Sequence, residues 1–255
     1  MPDRLKGVSS TIVVARALLS AYRGLSEELT GHSFAPPVHT VYNPLSYAWG
    51  PFEEYHLRYA GASPRVLFLG MNPGPFGMVQ TGIPFGDPVC VRDWLEISAE
   101  VERPETAHPK RPILGLESER REVSGTRLWG LFAERFGTPE RFFAHHYVAN
   151  YCPLAFLGDT GRNITPDKLP AGERRALFDA CDRTLRKVID LLEPAVLVGI
   201  GRFAEERLRS VAGQPRGPAG DTRILRVLHP SPASPAANRG WDQAVTASLE
   251  EAGVW

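Results

Sequence analysis

Two kinds of hydrophobic pattern run along the chain. Between Ser10 and Thr30 apolar residues fall at Val13, Ala17, Leu18, Tyr22, Leu25 and Leu29, the spacing of one helix face, which predicts an N-terminal amphipathic helix over about residues 10–30. After the connection Ala35-Pro36-Pro37 and an aromatic stretch to Tyr59, short uninterrupted apolar runs take over: Arg65–Gly70, Tyr147–Ala149, Ala195–Ile200 and Ile224–Leu228. They are rich in strand formers and bounded by Gly or Pro. Helix-like segments separate them near Val89–Ile97, Gly125–Phe136, Ala171–Leu192 and Arg202–Val211, and a last one follows at Asp242–Ala252. Strands that alternate with helices predict an α/β fold, with a mainly parallel four-stranded sheet flanked by helices. A chain of 255 residues is expected to close around such a sheet as one domain.

Ligands of parallel sheets bind beyond the carboxyl ends of the strands. The segments in that position are Gly70-Met71-Asn72-Pro73-Gly74-Pro75-Phe76-Gly77, then Asn150-Tyr151-Cys152-Pro153, then Gly199-Ile200-Gly201-Arg202, then His229-Pro230-Ser231-Pro232. Three of the four carry Asn or His. The first continues to Gly86 with five glycines and three prolines in 17 residues, a composition suited to stiff backbone approaching a ligand closely. Neither dinucleotide nor P-loop glycine spacing is present, which argues against a nucleotide cofactor.

Composition removes other classes. No run approaches a membrane helix, and Thr11–Ala15 lacks the apolar core and cleavage site of a signal peptide, so a soluble intracellular protein without membrane association is expected. Cys90, Cys152 and Cys181 are scattered outside metal-ligand spacing and are expected to be reduced structural thiols. Balanced charge, 29 basic against 29 acidic residues, does not by itself point to nucleic acid. No metal and no organic cofactor is expected, and nothing in the sequence requires more than a monomer.

The two longest loops carry a resemblance. Gly70 through Met78, continuing through Gln80-Thr81-Gly82 to Pro84-Phe85-Gly86, resembles the first motif of the single-strand-selective monofunctional uracil-DNA glycosylases. His229-Pro230-Ser231-Pro232 with Pro235, Ala237-Asn238 and Gly240-Trp241 resembles the second, and the similarity extends from about Leu25 to the C-terminus. The resemblance implies the uracil-glycosylase α/β sandwich. It also implies hydrolysis of the N-glycosidic bond of uracil and C5-modified uracil, such as 5-hydroxymethyluracil, in single- and double-stranded DNA.

Residue by residue, the resemblance implies that Asn72 orients the attacking water, where other uracil glycosylases have Asp. His229 donates to uracil O2 without needing a full positive charge. Asn150 reads the N3–O4 edge, Phe85 stacks on the flipped ring, and Met71 and Gly74 line the base pocket. Gly74 stands where glycosylases that exclude thymine by bulk carry Tyr, so room is expected near C5. The loop from Pro230 through Ser231, Pro232 and Ala233 to Asn238 and Arg239 is the expected DNA wedge. Ala233 departs there from the basic residue often found in vertebrate relatives.

Taken alone, each residue also has a structural reading: Asn72 as a turn former, His229 as a strand-end cap, Asn150 as a backbone tie and Phe85 as loop packing. His145-His146 reads as structure, because adjacent strand side chains point to opposite faces. Arg120-Arg121-Glu122 reads as a solvated loop. The alternatives left open are a glycosylase of shifted specificity, acting on hypoxanthine or xanthine, and a weakly catalytic module that binds damaged DNA.

Overall fold

The computed structural model describes residues 2–61, 64–213 and 222–255, with side chains from residue 12 onward. Helix α1 (Pro2–Thr30) leads to strand β1 (Thr40–Tyr42), the single turn α2 (Pro44–Tyr47) and α3 (Trp49–Tyr59). Strand β2 (Val66–Gly70) is followed by α4 (Met78–Thr81), α5 (Pro88–Asp93), α6 (Val123–Phe136) and α7 (Pro139–Phe143). Strands β3 (His146–Asn150), β4 (Ala155–Leu157) and β5 (Asn163–Ile164) precede α8 (Ala171–Leu192). The chain then forms β6 (Val196–Ile200), α9 (Arg202–Ala212), β7 (Arg223–Val227) and α10 (Trp241–Glu251).

The four predicted apolar runs are the four strands of one parallel sheet, in the order β3-β2-β6-β7. Every residue of β2, β3 and β6 is buried, as expected for strands covered by helices on both faces. Register sets the site. Gly70, the last residue of β2, pairs with Asn150, the last of β3, so the backbones carrying the first two candidate segments leave the sheet side by side.

Several boundaries differ from the sequence expectation. Helix α1 starts at Pro2, ahead of the residue near 10 where the apolar spacing begins. The aromatic stretch before Tyr59, to which the pattern assigns no element, contains helix α3, whose Phe52, Tyr55 and Tyr59 are buried on one face. Pro51 sits in its first turn, where a missing amide costs little. The Tyr55 and Tyr59 hydroxyls donate to the carbonyls of Val148 and Leu95, so these phenols are buried without losing a partner. Helix α5 ends at Asp93 instead of running to Ile97: the backbone unwinds through Glu96 (φ 50°), and Leu95 and Ile97 reach the core from non-helical chain.

A second, antiparallel sheet, β1-β4-β5, was not expected. Its strands are three, three and two residues long, too short to leave a pattern. It places Asn163 beside the mouth of the pocket described below. The three cysteines are free. Among the described residues no helix is long and apolar enough to cross a membrane, and no cluster of His, Cys, Asp or Glu is arranged to hold a metal ion.

Candidate active site

Asn72 lies two residues beyond β2, Asn150 ends β3 and His229 lies two residues beyond β7. All three line one cavity of about 350 Å³ together with Met71, Gly74 and Phe85. The six residues expected to catalyse or to bind a base are therefore brought together. Ser231 and Pro232 from the second motif complete one wall.

His229 is held in one tautomer. Its Nδ1 accepts a hydrogen bond from the Ser231 amide at 3.1 Å, which leaves the proton on Nε2. Burial pushes its pKa down to about 4, so at neutral pH the ring is an uncharged donor. The Phe85 ring stands 6.1 Å from the imidazole, centroid to centroid, tilted by 44°.

Asn150 is buried, and its Oδ1 has no hydrogen-bond partner. Its Nδ2 donates to Met78 Sδ at 3.2 Å, a soft acceptor that fixes the orientation of the amide and leaves the second Nδ2 hydrogen unused. A buried acceptor without a donor costs on the order of 1–3 kcal/mol, which marks the site as built for a ligand that supplies one. Asn72 is oriented in a similar way. Its Nδ2 donates to the Leu154 carbonyl at 3.2 Å, leaving Oδ1 as the end available to a water.

Glycine makes this convergence possible. A Cβ on Gly70 would lie 2.3 Å from Asn150 Oδ1 and 2.5 Å from the Phe85 ring, so neither side chain could keep its place. Phe85 itself has φ 54°, a left-handed conformation that costs a bulky residue of order 1–3 kcal/mol and persists only where the surroundings impose it. What imposes it is the contact with α6: Gly125 comes so close that a Cβ there would sit 2.0 Å from the Phe85 carbonyl oxygen.

Asp87 ties the same loop to α6. This fully buried carboxylate accepts from Arg121 Nε at 2.9 and 2.8 Å, from the Cys90 and Glu122 amides, and from the Thr126 hydroxyl. Desolvation raises its pKa, but these donors outweigh that effect and hold the carboxyl below its ordinary range.

Of Arg120-Arg121-Glu122, both arginines are exposed on a loop, as expected, and Glu122 alone departs from that reading. Arg121 is half of the Asp87 pair, and Glu122 turns inward to line the pocket. Its carboxyl fills the space beside Gly74: a Cβ on Gly74 would lie 2.7 Å from Glu122 Oε2, and one on Gly77 2.9 Å from Glu122 Cγ. The room expected from the missing Gly74 side chain is thus bordered by an acid. Burial raises the Glu122 pKa, against the pull of the Ser124 and Phe76 amides.

The residues expected to form the DNA wedge are arranged in layers. Pro230 is buried and its carbonyl accepts from Arg127 Nη1. Asn238 is exposed, yet its side chain is engaged at both ends: Oδ1 accepts from Arg127 Nη2 and Nδ2 donates to the Pro232 carbonyl. Ala233 and Arg239 form the exposed edge of the loop. Glu122, Met78 and Arg127 were not expected among the site residues. The glycines at 74 and 77 were the one trace of Glu122, since they mark where another side chain must pass.

The Uracil DNA glycosylase superfamily model matches residues 57–250. The "Single-strand selective monofunctional uracil-DNA glycosylase" of Rattus norvegicus is 47% identical over 241 residues, which is 94% of this chain and 86% of that protein. The protein of that name from Mus musculus is 46% identical over 241 residues, 94% of this chain and 85% of its own length. Among solved structures, the crystal structure of wild-type Pedobacter heparinus SMUG2 aligns with a TM-score of 0.64 at 21% identity, covering 92% of this chain and 98% of that one, a likeness of fold. With the family model spanning most of the chain and close identity to relatives over nearly its whole length, the chain belongs to the uracil DNA glycosylase superfamily, in its single-strand-selective monofunctional branch.

Proposed function

We propose that the protein removes uracil from DNA by hydrolysing the bond between deoxyribose C1′ and uracil N1, a base-excision repair step that leaves an abasic site. One observation supports this above all: the unpartnered groups of the pocket match the edge of uracil. Asn150 Oδ1, sealed and without a donor, accepts from N3–H, while the spare Nδ2 hydrogen meets O4. His229 Nε2–H meets O2. Cytosine presents the opposite pattern at N3 and C4, and each buried mismatch costs about 1–3 kcal/mol.

The base reaches the pocket by leaving the helical stack, and Phe85 takes over its stacking. As the C1′–N1 bond breaks, the electron pair moves onto the base and negative charge collects on O2, where the His229 hydrogen bond strengthens. Asn72 Oδ1 accepts a hydrogen bond from the attacking water. An amide takes up no proton, so Asn72 works by placement, and the water's proton leaves after the C1′–O bond forms. Water is the nucleophile, and among the described residues no lysine lines the pocket to form a Schiff base.

The proposal includes three finer points. C5-modified uracil, such as 5-hydroxymethyluracil, is a substrate: Gly74 has no side chain at that edge, and the Glu122 carboxyl borders it. The 230–239 loop occupies the gap left by the flipped base, so that both single-stranded and duplex DNA are cleared. One chain supplies every pocket residue, and the active form is a monomer.

The test uses end-labelled oligonucleotides with one uracil, single-stranded or paired with guanine, incubated in EDTA with the wild type or Asn72→Ala and then heated in alkali. Alkali-dependent cleavage by the wild type is expected, with turnover reduced about 100-fold or more in Asn72→Ala while uracil DNA still binds. Equal turnover by the variant would remove Asn72 from the mechanism. A wild type that cleaves neither substrate would move the activity to another base, such as hypoxanthine or xanthine, or to binding alone.

A further inference from the structure

The balanced charge of the chain hides a local imbalance at the pocket mouth. Phe76 follows Gly74 and Pro75, which line the pocket, and its half-buried ring carries two guanidiniums. Arg120 Cζ lies 3.8 Å from the ring centroid and Arg111 Cζ 5.1 Å. Among the described residues neither arginine forms an ion pair with a carboxylate. A ring face holds a guanidinium without spending its N–H groups. Exposed Arg120 therefore keeps all its donors, while Arg111 spends one, from Nη1 to the Lys110 carbonyl, and its Nε is buried with no acceptor.

The pair is also fixed in place. Buried Gln80 donates from Nε2 to the carbonyls of Pro75 at 3.2 Å and Pro112 at 3.1 Å, which pins the chain after Arg111 to the chain before Phe76. The Tyr42 hydroxyl donates to the Arg111 carbonyl at 2.6 Å. Arg111 packs on Gly161 as well, where a Cβ would lie 3.4 Å from Cζ, and Asn163, two residues on, lines the pocket. The two arginines thus stand on a rim continuous with the base pocket.

We propose that Phe76, Arg111 and Arg120 form a platform that grips a phosphate of the DNA strand beside the extruded nucleotide. Its role rests on the base-excision reading given above. Two like charges drawn onto one ring repel each other, and an anion between them relieves that repulsion. A phosphodiester suits them, because guanidinium N–H groups match its oxygens in charge and geometry. An extruded nucleotide stays covalently joined to its neighbours, so the strand has to cross the rim of the pocket. Contact through the backbone carries no sequence preference, as befits a base that arises anywhere. The platform is built from chain far from the 230–239 loop and acts alongside it.

The test measures binding of a single-stranded oligonucleotide with one 2′-fluorodeoxyuridine, whose fluorine opposes positive charge on the sugar and so blocks release. Fluorescence anisotropy over a salt series compares the wild type, Arg111→Ala, Arg120→Ala and, as a control for charge lost elsewhere, Arg16→Ala on the exposed face of α1. Each platform variant is expected to bind about tenfold more weakly, and the slope of log affinity against log salt to fall by about 0.7, one phosphate contact on a single strand. Arg16→Ala is expected to match the wild type. On strands with the analogue at the 5′ or the 3′ end, which lack one flank, the Arg120→Ala loss is expected to persist on one and vanish on the other. If Arg111→Ala does not fold, Arg120→Ala, whose side chain makes no hydrogen bond or ion pair, decides. Affinity within about threefold of wild type with an unchanged slope, a loss no larger than that of Arg16→Ala, or a loss indifferent to which end carries the analogue overturns the platform. Release of uracil from the unmodified strand by the wild type is followed in parallel. Release together with unchanged binding by the variants strikes the platform alone, whereas no release strikes the base-excision reading beneath it.

Discussion

His229 can make its two hydrogen bonds in one protonation state without the imidazolium. The Ser231 amide takes Nδ1, the proton stays on Nε2, and burial holds the pKa down to about 4. In the proposed mechanism the charge that develops on the departing base therefore meets a neutral donor. Single-turnover release of uracil is expected to stay level from pH 8 down to about 5, with no inflexion in the ordinary histidine range near 6.5. A step centred near 6.5 that disappears in His229→Ala would show that the ring titrates like an exposed histidine and that the buried arrangement does not persist on DNA.

At the scale of elements, α6 is the mount for the pocket. Its first turn carries Glu122 at the N-cap and Gly125 against the Phe85 carbonyl, and Arg127 one turn on holds the 230–239 loop through Pro230 and Asn238. Two glycines of this helix give a matched comparison. In Gly125→Ala the new Cβ would stand 2.0 Å from the Phe85 carbonyl oxygen, so α6 or the strained Phe85 must move, and a loss of about 1–3 kcal/mol is expected together with slower uracil release. In Gly130→Ala nothing lies within 4 Å, and a gain of about 0.5–1 kcal/mol from helix propensity is expected. Urea denaturation of both variants checks the pair, and equal stabilities would mean that α6 does not press on the Phe85 loop.

The sheet strands were legible because a strand buried on both faces writes an unbroken apolar run, as at Val66–Gly70 and Val196–Ile200. The positions of Asn72, Asn150 and His229 followed from the rule that chemistry sits beyond strand ends, and the roles proposed for them from the resemblance. Glu122 was not legible, because its neighbours Arg120 and Arg121 make it look like solvated charge. The buried partner that turns it inward, Asp87, is 35 residues away in sequence. Helix α3 was obscured by Pro51, and the small antiparallel sheet was too short to register any alternation.

For the molecule as a whole, acid is the sensitive direction. Burial pushes the pKa values of His56, His146 and His229 down to about 4, whereas in the unfolded chain each titrates near 6.5. Between those values the unfolded state binds more protons, so stability is intact above about pH 6.5 and declines as the pH falls toward 4, by up to about 1.4 kcal/mol per pH unit for each histidine. Chemical denaturation at pH 7.5, 6, 5 and 4 is expected to show that decline, and a flat profile would mean the three rings are solvated in the native state.

The three polar side chains of the pocket, Asn72, Asn150 and His229, hang from the ends of β2, β3 and β7, and all three meet only when the sheet is complete. No contiguous stretch of chain owns even two of them: β2 and β3 pair directly and bring Asn72 and Asn150 together, but His229 joins them only through β6 and β7. Base release is thus an assay of tertiary structure as much as of chemistry: any lesion that separates β7 from β6 silences the enzyme outright before it could become a blunt, unselective binder of DNA.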